Sequence, residues 1–194
     1  MLGRVEIICG GMFSGKTEEL LRRLRRTQFA NQVAQVFTVA MDSRYGYGIV
    51  ASHDGSKCEA IPLDRDNPGE ILDLLNAETT VVGIDEAQFF AGGLVDVCEE
   101  IANRGVRVIA VGLNIDALAR PFGPMPQLMA RADHVTTLHA ICVVCGADAS
   151  RTQLLINGKP VPWQEGPLIL VGGENEGYEA RCRACHEVPG DHKN

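Results

Sequence analysis

A stretch near the start of the chain has the composition and spacing of a phosphate-binding loop. It reads Gly10-Gly11-Met12-Phe13-Ser14-Gly15-Lys16-Thr17. Because it follows the apolar residues 5–9 and precedes an amphipathic stretch that begins at Glu18, it predicts a strand, a glycine loop and a helix N-terminus. In such a loop the lysine reaches the β- and γ-phosphates of a nucleotide, and the threonine hydroxyl ligates Mg²⁺. A glycine turn that binds nothing would have little reason to carry a Lys-Thr pair at this spacing.

A second candidate site follows the apolar residues 79–84, where the chain continues as Asp85-Glu86. A parallel α/β sheet places its ligand chemistry at the carboxyl ends of its strands. Asp85 could hold Mg²⁺ together with Thr17, and Glu86 could accept a proton from the attacking group, an effect worth about 10²- to 10⁴-fold in rate. Attack by water would make an ATPase and attack by a bound hydroxyl a kinase. These two residues leave both open, and acids capping a helix remain the alternative.

Four of the seven cysteines form two closely spaced pairs, Cys142-x2-Cys145 and Cys182-x2-Cys185. Two such pairs in a reducing compartment predict a closed tetrahedral Zn²⁺ site, in which four thiolates leave no open position for catalysis. The metal would therefore be structural. His186 is the alternative fourth ligand, and a redox Cys-x2-Cys motif is the alternative function.

The remaining pattern predicts an α/β fold of alternating strands and helices. Apolar runs indicate strands at residues 5–9, 33–39, 79–84 and 106–111, and helices are expected after Glu18, over residues 67–76 and over residues 94–103. This order predicts a P-loop (RecA-like) parallel sheet flanked by helices. The pattern loosens from residue 121, and prolines interrupt the region between the cysteine pairs. We therefore expect an ATP-binding domain at residues 1–138 and a small zinc-ribbon domain at residues 139–194.

Composition limits the function classes. The 194 residues carry a net charge of −7 and only 5% aromatic side chains, which disfavours a nucleic-acid partner. Neither a bilayer-spanning run nor a secretory pattern is evident, so a cytoplasmic protein without membrane contact is expected. The arginines at positions 22, 23, 25 and 26 are interpreted as a solvated helix face. The isolated Cys9 and Cys98 are expected in the core.

Together these motifs resemble the type II thymidine kinases, a zinc-bearing and usually tetrameric family. The resemblance extends through nearly the whole chain in the same order. Besides the phosphate loop and the four-cysteine module, it rests on the following stretches: Asp42-Ser43-Arg44-Tyr45, Asp85-Glu86-Ala87-Gln88-Phe89-Phe90, Pro121-Phe122-Gly123-Pro124, Leu138-His139-Ala140-Ile141-Cys142, Arg151-Thr152-Gln153 and Tyr178-Glu179-Ala180-Arg181-Cys182.

The resemblance implies transfer of the ATP γ-phosphate to the 5′-hydroxyl of thymidine, with Glu86 as the general base. The nucleotide and its Mg²⁺ would be bound by residues 10–17 and by Asp42, Ser43, Arg44, Asp85 and Gln88. Thymidine would lie between the sheet domain and a lasso-like loop of the zinc domain. The matching positions are Met12, Phe89, Leu113, Thr152, Leu168, Ile169, Leu170, Val171, Gly172 and Tyr178. The family also implies a homotetramer and feedback inhibition by thymidine triphosphate (dTTP).

The chain departs from the family pattern at two places. Ala117 stands where the family has a phenylalanine of the nucleoside pocket, and Phe122 is the candidate to replace that contact. Gly11 replaces a frequent proline, which would loosen the phosphate loop. Two alternatives to the kinase remain: a zinc-ribbon ATPase acting on nucleic acid, in which Glu86 activates water, and a regulatory nucleotide-binding module with impaired catalysis, suggested by residues 114–118.

Overall fold

The structure is a computed structural model that describes residues 3–40, 48–51, 55–164 and 176–190. In chain order its elements are β1 (Arg4–Gly10), α1 (Lys16–Phe29), β2 (Val33–Val39), β3 (Ile49–Ala51), β4 (Lys57–Glu59), β5 (Ile61–Leu63), α2 (Glu70–Leu74), β6 (Thr79–Ile84), α3 (Leu94–Asn103), β7 (Arg107–Gly112), α4 (Met125–Arg131), β8 (His134–Leu138), β9 (Ala140–Ile141), β10 (Asp148–Ala149), β11 (Arg151–Ile156), β12 (Lys159–Pro160) and β13 (Glu176–Arg181). A 3₁₀ turn at Ala87–Phe89 follows β6.

Six strands form a central sheet in the order β5-β2-β6-β7-β1-β8, and every neighbouring pair is parallel. The predicted parallel α/β sheet is therefore confirmed. Because the strands run in one direction, the carboxyl ends of β1, β6 and β7 lie at the same edge of the sheet. The segments that follow Gly10, Ile84 and Gly112 meet there, at the edge where such sheets bind their ligands.

Helices cover both faces of this sheet. On one face, Leu20, Leu21 and Leu24 of α1 pack in a cluster that includes Ile8 of β1. On the other face, the neighbouring Ile7 belongs to a larger cluster with residues of α2, α3 and α4. Successive strand residues point to opposite faces, so a continuous apolar strand such as β1 supplies both clusters.

The strongly apolar elements have the bounds that the sequence predicts. The strands at residues 33–39 and 79–84 and the helix at residues 94–103 are confirmed, and the strand predicted at residues 106–111 is shifted by one residue. The helix predicted over residues 67–76 is shorter, because Leu75 already has extended backbone angles.

Several elements were not predicted. Helix α4 has only seven residues, and the strands β3, β4 and β5 have three residues each, too few to show a periodic pattern. Strand β8 pairs with β1 at the edge of the sheet, and its residues are exposed or half-buried, so it lacks the apolar run of a central strand. Among the described helices, none is both long and apolar enough to cross a membrane.

A buried carboxylate lies near the beginning of β1 in the central sheet. Glu6 of β1 is 4% exposed, and its carboxylate contacts the guanidinium groups of Arg4, Arg23 and Arg107 at 2.7 to 2.8 Å. Burial alone would raise the pKa of Glu6, but the hydrogen bonds and charges of Arg107 and Arg4 lower it to about 2. Glu6 is therefore charged, and the arginines compensate that charge.

The contact between Glu6 and Arg23 corrects the interpretation of the four arginines of α1 as a solvated helix face. Arg22, Arg25 and Arg26 are exposed, as expected of a solvated face. Arg23 is not, since its side chain is 14% exposed and contacts both Glu6 and Glu19 at 2.8 Å. Helical spacing cannot reveal that one arginine of the four turns toward the sheet.

Residues 139–164 and 176–190, here called the cysteine module, are built from short antiparallel strands. Strand β9 pairs with β10, and β11 pairs with both β12 and β13. The small buried cluster of this module consists of Ala140, Cys142, Ala149, Ala180 and Cys182. No helix occurs in the described part of the module. The expected domain boundary after residue 138 stays a prediction.

Candidate active site

The segment between β1 and α1 has the backbone of an anion-binding turn. Gly15 has the left-handed φ of 79° that glycine adopts without strain, directly before α1. Within the described ranges no side chain caps the first turn of α1, which leaves its N–H groups to a ligand. The hydroxyl of Ser14 and the ammonium of Lys16 both donate to the carbonyl oxygen of Gly11, at 2.8 and 2.7 Å. The lysine is thus folded back over the loop.

The acidic pair lies directly after β6. Asp85 is 7% exposed, and its Oδ1 accepts the backbone N–H of Glu86 at 3.0 Å. Burial, together with the charge of Glu86, raises the pKa of Asp85. A cation beside this carboxyl would favour its charged form, so the position suits a divalent metal. Glu86 has a φ of 55°, in the left-handed region that costs free energy for a residue with a side chain.

Lys16 connects the two sites electrostatically. Burial lowers the pKa of Lys16, and the charges of Glu86 and Asp85 act in the opposite direction. The phosphate loop and the acidic pair, far apart in the sequence, therefore lie close enough for their charges to interact.

Gln88, which the resemblance groups with the nucleotide-binding residues, contacts the protein on both sides of its amide. Its Nε2 donates to Oε2 of Glu86 at 2.5 Å, and its Oε1 accepts the N–H of Leu113 at 3.0 Å. The residue is 2% exposed. The amide thus joins the segment after β6 to the segment after β7.

A cavity of about 200 Å³ opens at this edge of the sheet. Ten of the predicted site residues line it: Met12, Lys16, Thr17, Asp85, Glu86, Gln88, Phe89, Leu113, Thr152 and Tyr178. Five further residues also line it: Gly112, Ile115, Asp116, Ala117 and Phe122. A lysine, three acids and a set of apolar and aromatic side chains therefore share one cleft.

One wall of the cavity is aromatic. The rings of Phe89 and Phe122 meet edge to face, with centroids 5.4 Å apart and planes at 88°. Phe122 therefore lies where it can supply an aromatic contact that Ala117 lacks. Two other residues that line the cavity also contact each other: the hydroxyl of Thr152 accepts the N–H of Met12 at 2.9 Å, which connects the cysteine module to the phosphate loop.

The segment after β7 contains a brace that sequence reasoning missed. Oδ1 of the buried Asp116 accepts the N–H groups of Leu118 and Arg120, both at 2.9 Å. Its Oδ2 pairs with the guanidinium of Arg120, which also donates to the carbonyl of Gln164. The bond from Asp116 to the N–H two residues later is an Asx turn, a pattern that the sequence signals weakly. The brace fixes the shape of one cavity wall.

The other predicted nucleotide- and thymidine-binding residues fall into two groups. Gly10, Gly11, Phe13, Ser14 and Gly15 lie in the phosphate loop but do not line the cavity. The remaining predicted residues lie outside the described ranges: Asp42, Ser43, Arg44, Leu168, Ile169, Leu170, Val171 and Gly172.

The two cysteine pairs converge into one cluster. The Sγ atoms of Cys142, Cys145, Cys182 and Cys185 all lie within 4.8 Å of one another. The sulfurs of Cys145 and Cys182 are 3.6 Å apart, close to the ~3.8 Å edge of a tetrahedron with Zn–S bonds of about 2.3 Å. The donor set therefore fits a structural zinc ion.

His186 has a different contact from the one considered for it. Its Nε2 lies 2.9 Å from the carbonyl oxygen of Ala117, a cavity residue. The geometry therefore groups Cys185, and not His186, with the other three cysteines. Because His186 directly follows Cys185, the same contact joins the four-cysteine cluster to the wall of the cavity.

A parallel sheet with a phosphate loop after its first strand, and acids after a neighbouring strand, places this chain among the P-loop proteins that act on nucleoside triphosphates. The sequence model of one family, described as thymidine kinase, matches residues 3–186. The chain therefore belongs to the thymidine kinase family. It is an enzyme that phosphorylates thymidine, with ATP and thymidine as substrates. The four-cysteine cluster is consistent with the zinc-containing type II enzymes, and nothing in the match supports an ATPase acting on nucleic acid.

Proposed function

We propose that Glu86 is the general base of thymidine phosphorylation. Its carboxylate would accept the proton of the 5′-hydroxyl as the oxygen attacks the γ-phosphorus, and the bond from that phosphorus to the β-phosphate oxygen breaks to release ADP. The observation that carries the proposal is the common cavity, which Glu86 lines together with Lys16 and the aromatic Phe89 and Phe122. A base must lie where phosphate and hydroxyl meet.

Residues 10–17 would bind the triphosphate. The open N–H groups at the start of α1 and the ammonium of Lys16 suit the phosphate oxygens, once the lysine leaves the carbonyl of Gly11. Thr17 and Asp85 would hold Mg²⁺, whose charge, when bound with ATP, offsets that of the phosphates. Asp42, Ser43 and Arg44 would complete the nucleotide site, as the resemblance implies.

The nucleoside would occupy the aromatic end of the cavity. Met12, Phe89, Leu113, Thr152 and Tyr178 line the cavity, and we propose that they contact thymidine together with main-chain groups of residues 168–172. A flat base suits a narrow space between aromatic side chains, and a closed site keeps water from competing with the hydroxyl as acceptor.

The cysteine cluster would bind structural Zn²⁺ and so stabilise a module, residues 139–194, that follows an ATP-binding domain at residues 1–138. From the family resemblance we also propose a cytoplasmic homotetramer that is inhibited by thymidine triphosphate. These properties rest on the resemblance, whereas the base and the metal ligands rest on positions in the fold.

The test is ADP release with and without thymidine, measured for the wild type and for Glu86→Gln. We expect thymidine-dependent release in the wild type and a kcat about 10²- to 10⁴-fold lower in the variant, with the Kd for ATP little changed. Glu100→Gln is the matched control, since Glu100 is half-exposed in α3 and pairs only with Arg104 among the described contacts. Full activity in Glu86→Gln would refute the base assignment.

A further inference from the structure

We propose that Gln88 is a positioning residue, which holds the carboxylate of Glu86 in the orientation that accepts the proton from thymidine. This inference rests on the proposed role of Glu86 as general base. Gln88 was predicted only as part of the nucleotide site, and its contacts assign it a different task. Its amide nitrogen binds Oε2 of Glu86, and its amide oxygen binds the N–H of Leu113.

The two hydrogen bonds fix which end of the amide faces Glu86. A backbone N–H can only donate, so the group that accepts from Leu113 must be Oε1 of Gln88. The NH₂ group is then directed at Glu86, where it can only donate. Because one carboxylate oxygen of Glu86 accepts this bond and Glu86 lines the cavity, the other oxygen is the one proposed to accept the proton of the substrate hydroxyl. Without this bond the side chain could adopt rotamers that direct both oxygens away from the hydroxyl, so that fewer of its orientations would be productive.

The surroundings of Gln88 leave it little freedom to move. A Cβ atom at Gly112 would lie 2.6 Å from Oε1 of Gln88 and 2.8 Å from the sulfur of Met125. A Cβ atom at Gly123 would lie 2.0 Å from the carbonyl oxygen of Gln88. Two positions without side chains therefore enclose this residue, and any side chain there would displace it. Such close packing is what holds an orienting group in one rotamer.

Glu86 needs such support because of its own backbone. Its left-handed φ of 55° places the residue in a conformation that its neighbours must maintain. Gln88 lies in the 3₁₀ turn that follows, and it ties this turn to the end of β7 through Leu113. Leu113 also lines the cavity. The amide of Gln88 thus fixes the position of Glu86 relative to Leu113 in the cavity wall.

The test is a double-mutant cycle on the full-length enzyme with Mg-ATP and thymidine, using Gln88→Met and Glu86→Gln. Methionine has a similar length but lacks both the donor and the acceptor of the glutamine amide. We expect Gln88→Met to lower kcat by about 10- to 100-fold, as for a lost hydrogen bond to a charged group, and to change the KM values for ATP and thymidine less than about threefold. In the Glu86→Gln background, the same change should lower kcat less than about twofold, since there is no base left to orient.

Two further variants separate the positioning role from a general effect on folding. Gln153→Met is the matched control, because Gln153 is also 2% exposed and uses its amide on the backbone of Glu187, within the cysteine module. It should lose stability but keep kcat within about twofold. Gln88→Glu preserves shape and the acceptor for Leu113 but replaces the donor to Glu86, so it should lose kcat even if Gln88→Met does not fold.

Three outcomes would refute the inference. A raised KM for ATP with an unchanged kcat in Gln88→Met would make Gln88 a nucleotide ligand. Independent, multiplicative losses in the double variant would show that Gln88 does not act through Glu86. A kcat of Gln88→Glu that equals the wild-type value throughout pH 6 to 9 would show that the donor is not needed, because a carboxyl that donates in place of the amide loses its proton as the pH rises. Full activity of Glu86→Gln alone would instead refute the proposed base, so the two failures are distinguishable.

Discussion

The central sheet and the cysteine module differ in what holds them together. The described part of the sheet domain contains buried apolar clusters of 21 and 10 residues. The cluster of the cysteine module has five residues, three of them alanines and two of them cysteines. Alanine side chains bury too little area to stabilise a fold. The comparison teaches that one cavity is shared by a region with large apolar clusters and a region whose small cluster includes two of the four cysteines that could hold zinc.

The largest effect is expected from loss of the metal. Cys182→Ser removes one of four thiolates, and structural zinc contributes on the order of 10 kcal/mol of binding free energy. We expect the variant to lose bound zinc and thymidine-dependent activity, while the helical signal in far-UV circular dichroism, which comes from the sheet domain, persists. A variant with one zinc per chain and an unchanged Tm would contradict the structural-metal assignment.

A second substitution should destabilise the sheet without changing zinc binding. Phe37 of β2 is fully buried between the sheet and its helices, so Phe37→Ala should lower the free energy of unfolding by about 3–5 kcal/mol. Zinc content of the folded protein should not change. Phe29→Ala is the matched control, because Phe29 is 90% exposed and its removal should change stability by less than about 0.5 kcal/mol. Urea denaturation measures both.

The ion pair of the sheet should make stability depend on pH. The pKa of Glu6 falls from an ordinary 4.5 to about 2 in the folded protein. Its contribution is therefore complete above about pH 5 and is lost as the pH falls toward 2. We expect Glu6→Gln to cost about 3 kcal/mol at pH 7 and less than half as much at pH 3. Equal losses at both pH values, from urea denaturation, would contradict a charge-based role.

The smallest effect is expected at the contact between the two regions. Thr152→Val keeps the shape of the side chain but leaves the N–H of Met12 without its acceptor. We expect a loss of about 1 kcal/mol, seen as a fall in kcat/KM for thymidine of about fivefold, with zinc retained. Thr80→Val is the control, because the Thr80 hydroxyl bonds at an exposed position with Val33. A wild-type kcat/KM in Thr152→Val would show that this bond does not couple the regions.

The sequence predicts this molecule best where the signal is local. The phosphate loop and the cysteine pairs are defined by spacings of a few residues, and apolar strands such as residues 79–84 show their own bounds. Side-chain contacts between distant residues that belong to no shared motif were not predictable. Gln88 and Leu113 are 25 positions apart, and Met12 and Thr152 are 140 apart. No short pattern records that such pairs meet, which is why the orientation of Gln88 and the link between the two regions appeared only in the fold.

The left-handed backbone of Glu86 has a consequence for attempts to engineer this enzyme. A side chain at φ 55° costs free energy that glycine or asparagine would largely avoid. A library screened only for heat resistance would therefore favour Glu86→Gly and Glu86→Asn, and with Glu86 as the proposed general base such a screen would enrich stable proteins with little turnover. Selection for thermal stability therefore has to be combined with selection for turnover at position 86.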